Sequence, residues 1–219
     1  MFRIKLAMLM GGLVLAYFGV QEYRVSMGTS TEPLAIELAA IEGGEIPSCN
    51  HLKVGKHVAD YVGCVYEYEE RYGKTSITHL YYPIISHDNS FFTELGALYE
   101  KYGDPNDIPD EEYPEIHNFH VLVKTKRFKT ESSIPEGLNA ENEIQGLVIN
   151  LVDSLDAEEK SMIQEDFPEV NLDQVLILED GRKPASMATS LGMTGGGVLM
   201  SLLGLVWLMM GLADGTWKN

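Results

Sequence analysis

From position 191 to position 213 the chain runs for 23 residues without a charged side chain. At 1.5 Å per residue a helix of that length measures about 34 Å, enough to cross a bilayer core with some tilt. The run therefore predicts a transmembrane helix and removes these residues from any water-facing domain. A second apolar stretch, residues 6–20, lies directly behind Arg3 and Lys5, so it has the charged start and short apolar core of a secretory signal. It ends YFGVQEYRV, which offers no small-residue cleavage site, and an uncleaved signal anchor is the better reading.

The expected layout follows: a cytoplasmic tail at 1–5, a first anchor at 6–20, a domain at 21–190, a second anchor at 191–213 and a second cytoplasmic tail at 214–219. About 170 residues between the anchors suit one domain. That domain holds 32 acidic against 13 basic side chains, a formal charge of −19. Such a surface repels phosphate backbones and anionic headgroups, which excludes nucleic acid as a partner and argues against a basic membrane-docking face. Its ordinary consequence is solubility, with an acidic docking surface for a basic partner as the sharper alternative.

Orientation is set by the basic residues beside the anchors. Arg24, Arg182 and Lys183 flank them on the domain side, against Arg3, Lys5 and Lys218 on the other, so the count is even. The first helix usually dominates and resembles an export signal, which favours an extracytoplasmic domain. No Asn-x-Ser/Thr sequon occurs, in keeping with a bacterial source, an inner-membrane location and a periplasmic domain.

Within the domain, HLKVGKHVA, VGCVYEYEE and ITHLYYPIIS are rich in valine, isoleucine and tyrosine and are separated by short turns, which predicts a three-strand meander. Phe91, Phe92, Leu95, Leu98, Tyr99 and Tyr102 then recur at helical spacing, with Ser90 as the expected cap and Gly103 as the stop. A proline-broken loop follows, then strands in HNFHVLVKTKRFKT and IQGLVINLV, a short acidic helix DAEEKSMIQEDF and a last strand QVLILED. The fold class is α+β: a small domain between two transmembrane helices, either an OB-like barrel or a generic antiparallel sheet with helices on one face.

This layout, together with GVQEYRVSMGTSTEP after the first helix, YYPIIS at the end of the third strand and VLILEDGRKPAS before the last helix, resembles a group of uncharacterised bacterial membrane proteins with two anchors and an OB-like domain. In architecture it is also similar to the membrane part of mitochondrial RING ubiquitin ligases and to surfeit-type oxidase assembly factors. Two cysteines cannot build a RING, so ligase activity is not implied, and the resemblance brings no catalytic residues with it.

Those cysteines, Cys49 and Cys64, bracket the first expected strand and can pair as a disulfide outside the cytoplasm, which would add roughly 3 kcal/mol. No C-x-x-C or zinc-ligand spacing is present. His117 and His120 fall three apart on an expected strand and so on opposite faces, which makes them ordinary sheet histidines rather than metal ligands. Asp104, Asn106 and Asp107 lack the glycine and terminal glutamate of an EF-hand loop, and Met193 and Met200 have no His or Cys partner in the span for copper. No metal and no cofactor is expected, and no catalytic motif of a hydrolase or nucleotide enzyme occurs.

Glycine supplies the remaining signal. Gly197, Gly204 and Gly211 recur every seven residues in the second anchor, and Gly12 and Gly19 do so in the first. Seven residues are nearly two turns, so each set lines one helix face. Small residues there let membrane helices approach closely, which predicts packing against each other, another copy or another membrane protein. The expected partners are thus the lipid bilayer and other membrane proteins. The favoured function is a non-enzymatic assembly, scaffold or interaction component of a membrane complex, and the alternative is a membrane-anchored enzyme or metal-handling factor using the cysteines and histidines.

Overall fold

A computed structural model describes residues 2–26, 29–104, 107–114, 116, 118–150, 157–168 and 170–213. In chain order its elements are α1 (Phe2–Ser26), β1 (Leu34–Ile36), α2 (Leu38–Glu42), β2 (His51–Val54), β3 (His57–Asp60), β4 (Val65–Arg71), β5 (Lys74–Ile85), α3 (Ser90–Tyr102), β6 (Val121–Thr125), β7 (Leu138–Glu141), β8 (Ile144–Val148), α4 (Ala157–Asp166), β9 (Leu176–Asp180) and α5 (Met187–Ala213). They form two units, one from the terminal segments up to Thr31 and from Pro184, the other from Glu32 to Lys183.

The terminal unit is a pair of long apolar helices. The first extends beyond its expected apolar run at both ends, because the flanking Arg3, Lys5, Glu22 and Arg24 are good helix formers that hydropathy alone does not count, and the second starts four residues before its expected run, at Met187. Arg24 lies in the last turn of α1, where a cation complements the helix dipole. Ser186 starts α5 by accepting a hydrogen bond from the Thr189 N–H at 3.1 Å, as an N-cap does.

The second unit is a mixed α+β domain whose sheet curls into a half-barrel. Its strands run in the order β1-β2-β8-β9-β6-β5-β3-β7, with β4 hairpinned onto the free part of β5. The β1–β2 and β6–β9 pairs are parallel and the others antiparallel. Tyr72 and Gly73, both at positive φ, make the tight β4–β5 turn.

The meander expected of the first three strands is not formed. The stretch expected as one strand divides at Gly55 and Lys56 into β2, which pairs with β8 and β1, and β3, which pairs with β5 and β7. At this break the Gly55 N–H donates to the Ile36 carbonyl at 3.0 Å, and the Glu37 carboxylate lies over Gly55, where a Cβ would come within 2.7 Å of it and displace it. The cap of α3 is Asn89, which accepts from the Phe91 N–H at 3.1 Å, rather than Ser90. Among the described residues of the long strand expected from 117 to 130, only β6 is strand.

Alternation along the strands builds two apolar clusters. Leu80, Tyr82, Ile84, Val121 and Val123 face one side and gather Leu52, Val54, Ala59, Val148 and Leu178, with Leu38 and Ile41 of α2. Residues of β2 and β3, next to opposite ends of the strand order, meet in this cluster, so it fills the concave side of the curl. Tyr81, Ile85 and Leu122 face the other way and pack under Phe91 of α3 and Ile163 of α4. Burying one large apolar side chain contributes about 1.5–3 kcal/mol, so each helix is held by two or three such contacts.

Candidate functional site

Two arrangements stand out, one in each unit. In the helix unit, four glycines lie where α1 meets α5. A Cβ built on Gly12 would be 2.4 Å from Ser201 Oγ and 2.6 Å from the Gly197 carbonyl oxygen; on Gly19 it would be 2.5 Å from the Thr194 nitrogen. On Gly197 it would be 2.4 Å from the Ala16 nitrogen, and on Gly204 2.8 Å from that of Leu9. Such contacts admit no side chain. Leu9, Gly12, Ala16 and Gly19 going up α1 thus face Gly204, Ser201, Gly197 and Thr194 going down α5, and the helices are antiparallel.

Polar groups fasten the same seam. Ser201 Oγ donates to the Leu9 carbonyl across the helices at 3.2 Å, and Ser26 Oγ donates to the Ala185 carbonyl at 2.7 Å. Near the start of α1, the Lys5 ammonium lies 5.3 Å from the Trp207 ring centre, a cation–π contact. Away from the seam the helices present large apolar side chains outward, with Phe18 and Leu202 each 54% exposed.

The second arrangement lies on the concave side of the sheet. Tyr61 donates its hydroxyl hydrogen to Glu141 Oε1 at 2.9 Å, and Arg127 Nη2 donates to the Tyr61 oxygen at 2.9 Å and lies 3.5 Å from Glu141. The Tyr61 ring packs on Tyr82 with centres 4.7 Å apart and on Phe128 edge-on. Burial, with Glu141 adding to it, pushes the Tyr61 hydroxyl up to about 12, and burial also raises that of Tyr82. Both tyrosines are therefore neutral at ordinary pH.

His57, fully buried beside them on β3, holds its Nδ1 at 2.8 Å from the Gly55 carbonyl, so Nδ1 carries the proton. Its Nε2 sits 3.8 Å from Glu141 Oε2 and, with the Tyr82 hydroxyl, has no hydrogen-bond partner among the described residues. Burial lowers the His57 pKa, opposed by the Gly55 carbonyl and Glu141. Between that lowered value and about 6.5 the unfolded chain binds the proton more readily, so this group makes stability fall as pH drops through that window. A His57→Gln protein should lose less melting temperature between pH 7 and pH 5 than the native chain. Parallel losses in the two proteins, measured by calorimetry, would mean that His57 is not the group responsible.

The sequence singled out other residues as well. No disulfide joins Cys49 to Cys64: Cys49 leads into β2 and Cys64 into β4, strands separated by β8, β9, β6 and β5 in the pairing order. The Cys64 thiol is pushed up by burial and by the charge of Asp60. His117 and Asn106 lie outside the described residues, as do the surroundings of Gly211. His120 precedes β6, and its carbonyl accepts from the Leu176 N–H at 2.8 Å. Among the described residues no three His, Cys, Asp or Glu side chains converge as a metal site would require.

Sequence reading missed the cluster of His57, Tyr61, Tyr82, Arg127 and Glu141, since only strand pairing brings its members together. The one available signal was the apolar setting of His57 and Tyr82. Fold and seam define a class, a mixed-sheet domain flanked by two helices long and apolar enough to cross a membrane. No protein family, curated protein or solved structure matches this chain.

Proposed function

We propose that the chain is an integral membrane protein in which α1 and α5 form an antiparallel anchor for the acidic domain, and that it serves as a non-enzymatic assembly or interaction component of a membrane complex. The glycine seam carries this reading. It satisfies the small faces of both helices within one chain and turns their large apolar faces outward, an arrangement suited to lipid and poorly suited to water. Those outward faces and the acidic domain are then the surfaces left for other membrane components. The raised Cys64 thiol favours this over a thiol-based enzyme, because the thiolate is the reactive form.

The OB-like reading of the domain belongs to the same proposal. If β2 and β3 are the two halves of one strand bent at Gly55, the order closes on itself through β5, β6, β9 and β8, as a small partly open barrel would. The helix α3 follows β5, the last of the three expected strand stretches, although on the closed path, which leaves β4 aside, it falls between the second and third strands.

An inner-membrane location with the domain in the periplasm is the proposed setting. Glu70→Cys, in a chain with Cys49 and Cys64 replaced by serine, should be labelled in whole cells by a thiol reagent that cannot cross the inner membrane. Labelling only after lysis would reverse the orientation. Release of the chain from membranes by alkaline carbonate would end the integral reading, and crosslinking in intact membranes that captures no other membrane protein would end the assembly role.

A further inference from the structure

On the helix-covered side of the sheet a cleft of about 420 Å³ opens among Asp60, Phe91, Tyr113, Ile116, Asp166 and Phe167. The volume falls within the range of about 300–1,000 Å³ typical of small-molecule sites. Five separate segments build it: the end of β3 with the turn after it, the start of α3, the segment after Asp110–Glu112, Leu138 at the start of β7 and the end of α4. Its walls are aromatic and aliphatic, and among the described residues the only charged ones lining it are the two aspartates.

Asp60 is only 7% exposed. Its Oδ1 accepts hydrogen bonds from the Val62 N–H at 2.9 Å and the Gly63 N–H at 3.3 Å, closing the turn that follows β3. Among the described residues no ammonium, guanidinium or imidazole pairs with it. Burial raises its carboxyl above the ordinary range, and those two amides alone oppose the shift. A buried carboxylate without a cation is costly, and the turn does not need one, because asparagine presents the same acceptor oxygen to the same amides. The negative charge is therefore surplus to the fold and faces an apolar cleft.

We infer that this cleft binds a small organic amine, a protonated ammonium carried on an aromatic or branched apolar body. The ammonium donates to the Asp60 carboxylate, a charge-assisted hydrogen bond, while the body packs on Phe91, Tyr113 and Phe167. Aromatic faces attract cations as well as apolar groups. Asp166, exposed at the end of α4, adds a field of the same sign, which draws cations inward. A cleft closed by five segments matches one compact molecule better than an extended peptide. The inference is independent of the membrane reading, since every residue it uses lies between Glu32 and Lys183.

The test uses the full chain in lipid nanodiscs, titrated with 2-phenylethylammonium chloride and, in parallel, with the uncharged analogue 2-phenylethanol. Expected are saturable binding of the amine, with chemical-shift changes at the Val62 and Gly63 amides, and binding of the alcohol weaker by about tenfold or more. Asp60→Asn, which keeps the turn, should weaken the amine by a similar factor and leave the alcohol unchanged. Equal binding of amine and alcohol to the native protein, or no saturable binding of the amine, overturns the inference without reliance on any variant. Unchanged amine affinity in a folded Asp60→Asn protein overturns it as well. A blocked Phe-Lys-Phe peptide that binds at least tenfold tighter than the free amine would overturn it in favour of a polypeptide ligand.

Discussion

Gly197→Leu is expected to separate the two terminal helices, while Gly196→Leu, one residue away, leaves them paired. At Gly197 a Cβ would come 2.4 Å from the Ala16 backbone nitrogen and 2.7 Å from the Gly12 carbonyl oxygen, and neither backbone atom can step aside as a flexible side chain would. At Gly196 nothing lies within 4 Å. Overpacking a close contact costs about 1–3 kcal/mol, and a clash against backbone belongs at the upper end, so pairing should fall by about a hundredfold. Both substitutions make α5 more apolar, so insertion into the membrane should persist in each. The readout is disulfide yield between cysteines placed at Ser26 and Ala185, with Cys49 and Cys64 replaced by serine. Equal yields in the Gly196→Leu and Gly197→Leu proteins would mean that α1 and α5 do not meet through this face.

The contrast between neighbouring glycines shows what sequence could and could not reveal about the seam. Glycine is costly enough in a helix for a seven-residue repeat to be conspicuous, so Gly12, Gly19, Gly197 and Gly204 could be picked out. Ala16, Thr194 and Ser201 could not, because small and hydroxylated residues occur on any face of a membrane helix. Yet they occupy the alternate positions of the same stripe, and Ser201 supplies its interhelical hydrogen bond.

In the domain the long apolar elements were legible for the usual reason, that period-two and period-3.6 patterns report burial. The α+β class followed from them. The division at Gly55 was not legible, since valine on both sides continues the alternation and the break shows only in the different partners of β2 and β3. Elements as short as β1, β7 and α2 carry too few residues to show any period. The buried polar cluster was hidden more deeply. His57 and Glu141 meet because β3 pairs with β7, and Arg127 joins them from the chain beyond β6, so no local spacing relates them. Asp60 looked like an ordinary turn residue, and its lack of a cation became visible only with its surroundings.

The largest loss of stability in the domain is expected from Glu159→Ala. Lys124 on β6 is only 8% exposed and is ion-paired to Glu159 of α4, whose Oε1 also accepts the Tyr81 hydroxyl hydrogen at 2.8 Å. The Lys124 ammonium lies 5.5 Å from the centre of the Tyr81 ring, so carboxylate and aromatic ring together enclose the charge. Removing the carboxylate leaves an ammonium and a tyrosine hydroxyl without their acceptor beneath α4, and breaking a buried pair from one side costs about 3–5 kcal/mol. The lower end applies, since Glu159 retains some access to water. Glu159→Gln, which still offers an oxygen to both donors, should cost about 1–2 kcal/mol less than the alanine. Replacing both partners together, Lys124→Met with Glu159→Leu, should recover most of the loss, because two apolar side chains of similar volume leave no stranded charge. Urea denaturation of the three proteins decides the matter. If the double substitution is as damaging as Glu159→Ala, the loss comes from packing of α4 on the sheet and the ion pair is incidental; recovery assigns it to the unpaired Lys124.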